Sequence, residues 1–225
     1  MGVYLYAIVP PGHLPPQGLA GVDGAAVVPL DAGALSLWVS AMDHGPAASI
    51  EGVRAHNHVV EAALRVATPV PVRFGQWMES ESALLRFIAG NEDGFRADLE
   101  RVAGAVEFGV RVIDPVHTRA AAGNTPDRSS GTAYLQSLAR THSGRTRLEP
   151  RALEIAEELN QAVAGRIRAH REEPLPSMHG LFSAAHLVGR HEISGYRAAL
   201  DSFRARTEDL HFLVSGPWPP YSFVG

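Results

Sequence analysis

The sequence predicts an α+β fold of two ferredoxin-like, split βαβ domains, the second with an inserted helical hairpin and a proline- and aromatic-rich C-terminal tail. Three observations carry that expectation. Short apolar runs of β character alternate with stretches of helical period along the chain. Gly104 divides these elements into two sets, which places the domains at 1–104 and 105–214. Residues 215–225 then hold three prolines in four positions, Pro217, Pro219 and Pro220, which remove backbone donors and bar a central strand. That segment is expected as a tail packed on or beside the last sheet.

In the first set, Val3 to Val9 is a short β run, and the Pro/Gly-rich segment up to Gly24 is loop. Ala25–Leu30 and Leu35–Met42 read as strands joined by a hairpin at Asp31-Ala32-Gly33. From Ile50 to Ala67 the period is helical, with Val53, His56, Val60, Ala63 and Leu64 on one face and Arg54, His58, Glu61 and Arg65 on the wetter one. Thr68-Pro69-Val70-Pro71 stops that helix, since a residue before proline is pushed out of the α region. Val72 to Trp77 reads as strand. Ser80 is an N-cap for a helix with Leu84, Leu85 and Ile88 inward, broken between Gly90 and Gly94 and resumed through Phe95, Leu99 and Val102.

In the second set, Val106 to Ile113 has period-2 character and reads as strand, and Thr118 to Gly131 reads as a loop. Two helices follow as an antiparallel hairpin, a short one over Thr132–His142 and a longer one opening at Pro150. The longer helix is expected to run through the apolar seam Ala152, Ile155, Leu159, Val163 and Ile167 to a basic end at Arg166, Arg168, His170 and Arg171, which suits the helix dipole. A break at Glu172–Pro176 precedes a strand Leu181–Val188, a helix Ser194–Arg206 and a strand Leu210–Val214.

Composition narrows the function. With 45% apolar and 20% charged residues over 225 positions the chain should bury proper cores. A net charge of −4, with basic residues spread along the chain, argues against nucleic acid. All 20 basic residues are arginine, so a catalytic lysine is excluded, and the absence of cysteine removes disulfides, thiolate metal sites and cysteine nucleophiles. No secretory leader or bilayer-spanning run is apparent, so a cytoplasmic protein with no membrane partner is expected.

Few residues suggest chemistry. His58 and Glu61 are helical neighbours, but His56 points elsewhere because i and i+2 lie about 200° apart on a helix. Two ligands without a third make no metal site, and His56 is expected as a hydrogen-bonded structural residue at the core edge. Phosphate loops, dinucleotide fingerprints and nucleophile elbows are lacking, so no cofactor, metal or catalytic residue is expected. Arg73 in an apolar strand needs a partner if it points inward, and a salt bridge to a neighbouring helix is expected, with Gly75 allowing a bulge or close backbone approach. The tail offers Trp218, Tyr221 and Phe223 from a stiff segment as candidate partner-binding residues. Either they close the last sheet, or part of their surface stays open to a partner.

Tyr4-Leu5-Tyr6-Ala7-Ile8-Val9, Pro71-Val72-Arg73-Phe74-Gly75, Glu107-Phe108-Gly109-Val110-Arg111-Val112 and Gly216-Pro217-Trp218-Pro219-Pro220-Tyr221-Ser222-Phe223-Val224 together resemble the gas vesicle protein F/L family, GvpF/GvpL. The terminal motif is the specific one; the others count through their order. The resemblance implies a non-enzymatic, cytoplasmic gas vesicle assembly or minor structural protein of two α+β domains. It also implies contact with the small hydrophobic shell protein, GvpA, and with other accessory proteins, and no small-molecule substrate. The rival expectation is a ligand-binding protein or enzyme using His56 or Arg73 in a cleft between two ferredoxin-like domains.

Overall fold

The first strand, β1 (Gly2–Val9), is buried along its whole length because the sheet that contains it is covered on both faces. The computed structural model describes residues 1–115, 150–175 and 180–225, and these divide into one unit of Met1–Glu107 with Pro217–Gly225 and another of Phe108–Gly216. In the first unit β1 pairs antiparallel with β3 (Leu35–Met42), which pairs with β2 (Val28–Ala32). On its other side β1 meets two short strands, β4 (Val70–Pro71) and β5 (Trp77–Met78), to give the order β2-β3-β1-β4 with β5 also on β1.

Two irregularities shape this sheet. Between the pairs Leu5–Val39 and Ala7–Trp38, β1 advances two residues while β3 advances one, so Tyr6 is the extra residue of a bulge. The side-chain alternation is thereby reset, and Tyr4, Tyr6, Ala7 and Val9 all enter one core, while Val3, Leu5 and Ile8 enter the other. Between the pairs Tyr4–Trp77 and Ala7–Pro71, β1 advances three residues and the returning chain six, which leaves three residues looped out. The expected strand Val72–Trp77 is therefore two short pairings around a loop, with Gly75 at its tip at φ 98°, a conformation glycine adopts without strain.

Helix α1 (Ile50–Val66) covers the tyrosine face through Val59, Val60, Ala62 and Ala63, and its start is fixed by Ser49 Oγ accepting the Gly52 N–H at 2.9 Å. The opposite face is covered by α2 (Glu81–Gly90) and α3 (Glu92–Val102) through Leu84, Ile88 and Leu99. Ser80 caps α2 as expected, by accepting the Ala83 N–H at 3.2 Å. The helical break falls at Asn91, and Gly94 lies inside α3.

The second sheet has the order β7-β8-β6-β9, from β6 (Ala105–Ile113), β7 (Ile167–Pro174), β8 (Gly180–Gly189) and β9 (His211–Trp218). The second unit's described helices, α4 (Pro150–Ala162) and α5 (Ile193–Arg204), pack on each other and on β8. Its core gathers Phe108, Leu159, Phe182, Tyr196 and Phe203, with the Phe108 and Tyr196 rings 5.0 Å apart.

The helix from Pro150 does not reach Ile167. It ends at Ala162, Gly165 turns the chain at φ 77°, and Ile167–Pro174 becomes β7, paired antiparallel with β8 from Ile167–Val188 to Pro174–Phe182. Arg168, His170, Arg171 and Glu173, which read as a basic helix end and a break, are instead exposed on an edge strand, where charges discourage further strand pairing, while Glu172 accepts a hydrogen bond from Asn160. The last strand also runs past Val214 to Trp218, which its edge position allows despite Pro217. The expected Thr118–Gly131 loop and Thr132–His142 helix, and with it the helical hairpin, lie outside the described residues. No helix among the described residues is long and apolar enough to cross a membrane.

Candidate functional site

Both sequence-derived candidate regions, the His56 and Arg73 segment and the aromatic tail, belong to the first unit. His56 on α1 is 1% exposed and lies within the core, deeper than the expected core edge. Its Nε2 faces the Val72 carbonyl at 2.8 Å, and a carbonyl only accepts, so Nε2 carries the hydrogen. Nδ1 therefore accepts from the Tyr4 hydroxyl at 2.9 Å, and Tyr4 Oη in turn accepts the Gly75 N–H at 3.0 Å. Burial holds the imidazole below its ordinary 6.5 and pushes the Tyr4 hydroxyl up to about 12, so the ring stays neutral and the phenol keeps its proton.

This chain of bonds bolts the loop at 73–75 to the core from beneath. Tyr6, beside it, donates to Ser40 Oγ at 3.0 Å and accepts the Val22 N–H at 2.9 Å, which fastens the segment before β2 in the same way. Tyr4 and Tyr6 were not singled out from sequence, although two phenols in an otherwise apolar run demand polar partners if buried. With both ring nitrogens engaged, His56 supports the loop and presents no lone pair to a ligand. Among the described residues no three His, Asp or Glu side chains gather as a metal group.

Arg73 does not fulfil the expected salt bridge. Its side chain is exposed and forms no ion pair among the described residues, because the looped-out segment carries it out of the sheet to solvent. It stands at the rim of a groove of about 410 Å³ floored by Leu5, Ile8 and Val70 and walled by Phe87 and Phe95, whose rings lie 6.0 Å apart.

The tail is held by anchors that local sequence does not reveal. Both oxygens of the Glu107 carboxylate bind Ser222, one accepting its N–H and the other its hydroxyl, each at 2.8 Å. Arg101 donates to the Phe223 carbonyl at 2.7 Å, and Asp98, ion-paired to Arg101 at 2.7 Å, accepts the Gly225 N–H at 2.9 Å. The stretch 215–225, expected on or beside the last sheet, thus begins as the end of β9 and continues against α3 and Glu107.

The three candidate aromatics meet different fates on this rigid frame. Phe223 is 3% exposed and Tyr221 is half-buried against the tyrosine core, its hydroxyl pushed up by burial and by the neighbouring Tyr4 and Glu61. Trp218 is 44% exposed. With Pro219 and Tyr221 it walls a slot of about 270 Å³ against Asn57, Val60 and Glu61 of α1. A large apolar ring held open, with the buried Pro219 and Pro220 following it and Glu61 of α1 nearby, is suited to binding another molecule by contact.

Comparison with known proteins bears on the chain as a whole. The family model described as gas vesicle synthesis protein GvpL/GvpF matches residues 2–225. Gas vesicle protein F2 of Halobacterium salinarum is 27% identical over 227 residues, covering 99% of this chain and 91% of that protein. Gas vesicle protein L of a Streptomyces species is 28% identical over 250 residues, covering 99% and 92%. The crystal structure of GvpF from an Anabaena species superposes with a TM-score of 0.79 at 19% identity, covering 100% of this chain and 96% of that one. GvpF from Microcystis aeruginosa gives 0.73 at 17%, covering 99% and 98%. The two structures bear on the fold, which is mixed α+β with two antiparallel sheets as here.

Proposed function

Since this chain belongs to the GvpL/GvpF family of gas vesicle synthesis proteins, we propose that it acts in gas vesicle formation by binding the small hydrophobic shell protein, GvpA, together with other accessory proteins. Family membership supports the role in vesicle formation; the choice of GvpA as partner is our reading. In this reading the protein is an assembly or minor structural component that works in the cytoplasm by contact and not by turnover. A subunit that must turn an apolar face to gas is prone to aggregate while free, and a partner that offers aromatic contact area shields it until it adds to the shell. Among the described residues, the βαββαβ element order and β7-β8-β6-β9 strand order support a ferredoxin-like description of the second unit, with the first a modified version.

The observation that carries the reading is Trp218, 44% exposed on a tail that Glu107, Arg101 and Asp98 pin at Ser222, Phe223 and Gly225. An anchor already fixed in place loses little freedom on binding. Affinity for GvpA, measured by co-purification and titration with Trp218→Ala, is expected to fall by about 2 kcal/mol, or about thirtyfold. Wild-type affinity in a folded Trp218→Ala protein would reject the tail as the contact.

A further inference from the structure

The slot beside Trp218 has a chemical character that its size alone does not reveal. Val60, Pro219, Tyr221 and the indole of Trp218 make apolar and aromatic walls, and Asn57 and Glu61 place polar groups between them, in a volume of about 270 Å³. Glu61 is half-buried and makes no ion pair among the described residues, although α1 carries exposed His58 and Arg65 one turn away on either side. The indoles of Trp38 and Trp77 donate to the His13 and Met42 carbonyls, whereas Trp218 has its ring open at the mouth of the slot.

A carboxylate next to an exposed aromatic face is the surrounding that an organic cation favours: the ring quadrupole attracts the charge and the carboxylate accepts its hydrogen bonds. We infer that this slot receives a basic side chain of the protein partner, arginine in preference to lysine, with the guanidinium stacked on Trp218 and forked onto Glu61. The planar fork suits both at once, where an ammonium satisfies one at a time. The inference rests on the reading of Trp218 as a protein contact, and it names the chemistry that the partner must bring.

The test uses the full chain labelled with 15N, following the Trp218 indole N–H during titration with N-acetylarginine amide and, separately, with its uncharged counterpart N-acetylcitrulline amide. The arginine probe is expected to move that resonance saturably and the citrulline probe to leave it in place. Glu61→Gln, a change at a half-exposed position that keeps the side-chain shape, should weaken arginine binding about tenfold. Equal effects of the two probes, no saturable shift, or unchanged affinity in Glu61→Gln would each overturn the slot. The same variants tested against GvpA separate the two ideas. Loss of GvpA binding in Trp218→Ala but not in Glu61→Gln leaves the tail as contact and removes the cation from it. Glu61-dependent arginine binding alongside GvpA binding that ignores Trp218→Ala keeps the slot and removes GvpA as its partner.

Discussion

Each unit buries a tyrosine–histidine pair, Tyr4–His56 in the first and Tyr196–His186 in the second, and the two pairs share the same 2.9 Å contact between hydroxyl and Nδ1. They differ at the other ring nitrogen. His56 Nε2 donates to the Val72 carbonyl, while His186 Nε2 has no hydrogen-bond partner among the described residues. The first pair is a fastening, because it ties α1 and β1 to the loop that carries Arg73. The second fills space between β8 and α5, with one polar ring nitrogen left unserved at a cost of about 1–3 kcal/mol. Identical residue pairs thus do different work according to whether a backbone carbonyl lies within reach.

The largest break in this comparison is His56→Ala. It empties a buried ring site and strands the Tyr4 hydroxyl and the Val72 carbonyl together, and should cost about 4 kcal/mol in urea unfolding followed by Trp38 and Trp77 fluorescence. A loss below about 1 kcal/mol would mean that the loop at 73–75 holds itself.

Acid sharpens the contrast from the other side. Burial lowers His186 from 6.5 to about 4, so in the folded chain it stays neutral while in the unfolded chain it gains a proton below 6.5. Its share of stability is therefore complete above pH 6.5 and lost as pH falls from there to about 4, at most about 3 kcal/mol. His186→Phe should remove that share, seen as a flatter pH dependence of hydrogen exchange at the β8 amides between 6.5 and 4. A profile parallel to the parent's would show that His186 is protonated inside the fold.

The smallest expected effect belongs to Trp218→Ala. An exposed ring on an independently anchored tail contributes little to folding, and its removal should shift stability by less than about 0.5 kcal/mol. A larger destabilisation would make Trp218 part of the frame and weaken its use as a partner contact.

How much of this was legible in the sequence depends on the range of the interactions concerned. β3 lies at Leu35–Met42 as its apolar run indicates, and α1 and the Ser80 cap follow from period and capping chemistry that act within one or two turns. β7 was hidden because its arginines and glutamates satisfy a helix-dipole pattern as well as a solvated edge, and only pairing with β8 decides between them. The bulge at Tyr6 and the loop at 73–75 arise from register against a partner strand, which no single run of residues encodes. In the candidate site, the aromatic content of the tail was plain, but which ring stays outside depends on Ser222 meeting Glu107, 115 positions away. Arg73 was expected to be paired because an uninterrupted strand would have turned it inward; the loop removes that need.

The tail has a consequence for biosynthesis. Residues 217–225 are synthesised after all of 108–216, yet they complete a unit that otherwise consists of the first 107 residues. That early portion therefore emerges without the Ser222 and Gly225 groups that Glu107 and Asp98 later bind, and its set of bonds is complete only once 217–225 have been made. A chain interrupted before residue 217 is therefore left incomplete in its first unit as well as at the break, since Glu107 and Asp98 lose the groups they bind.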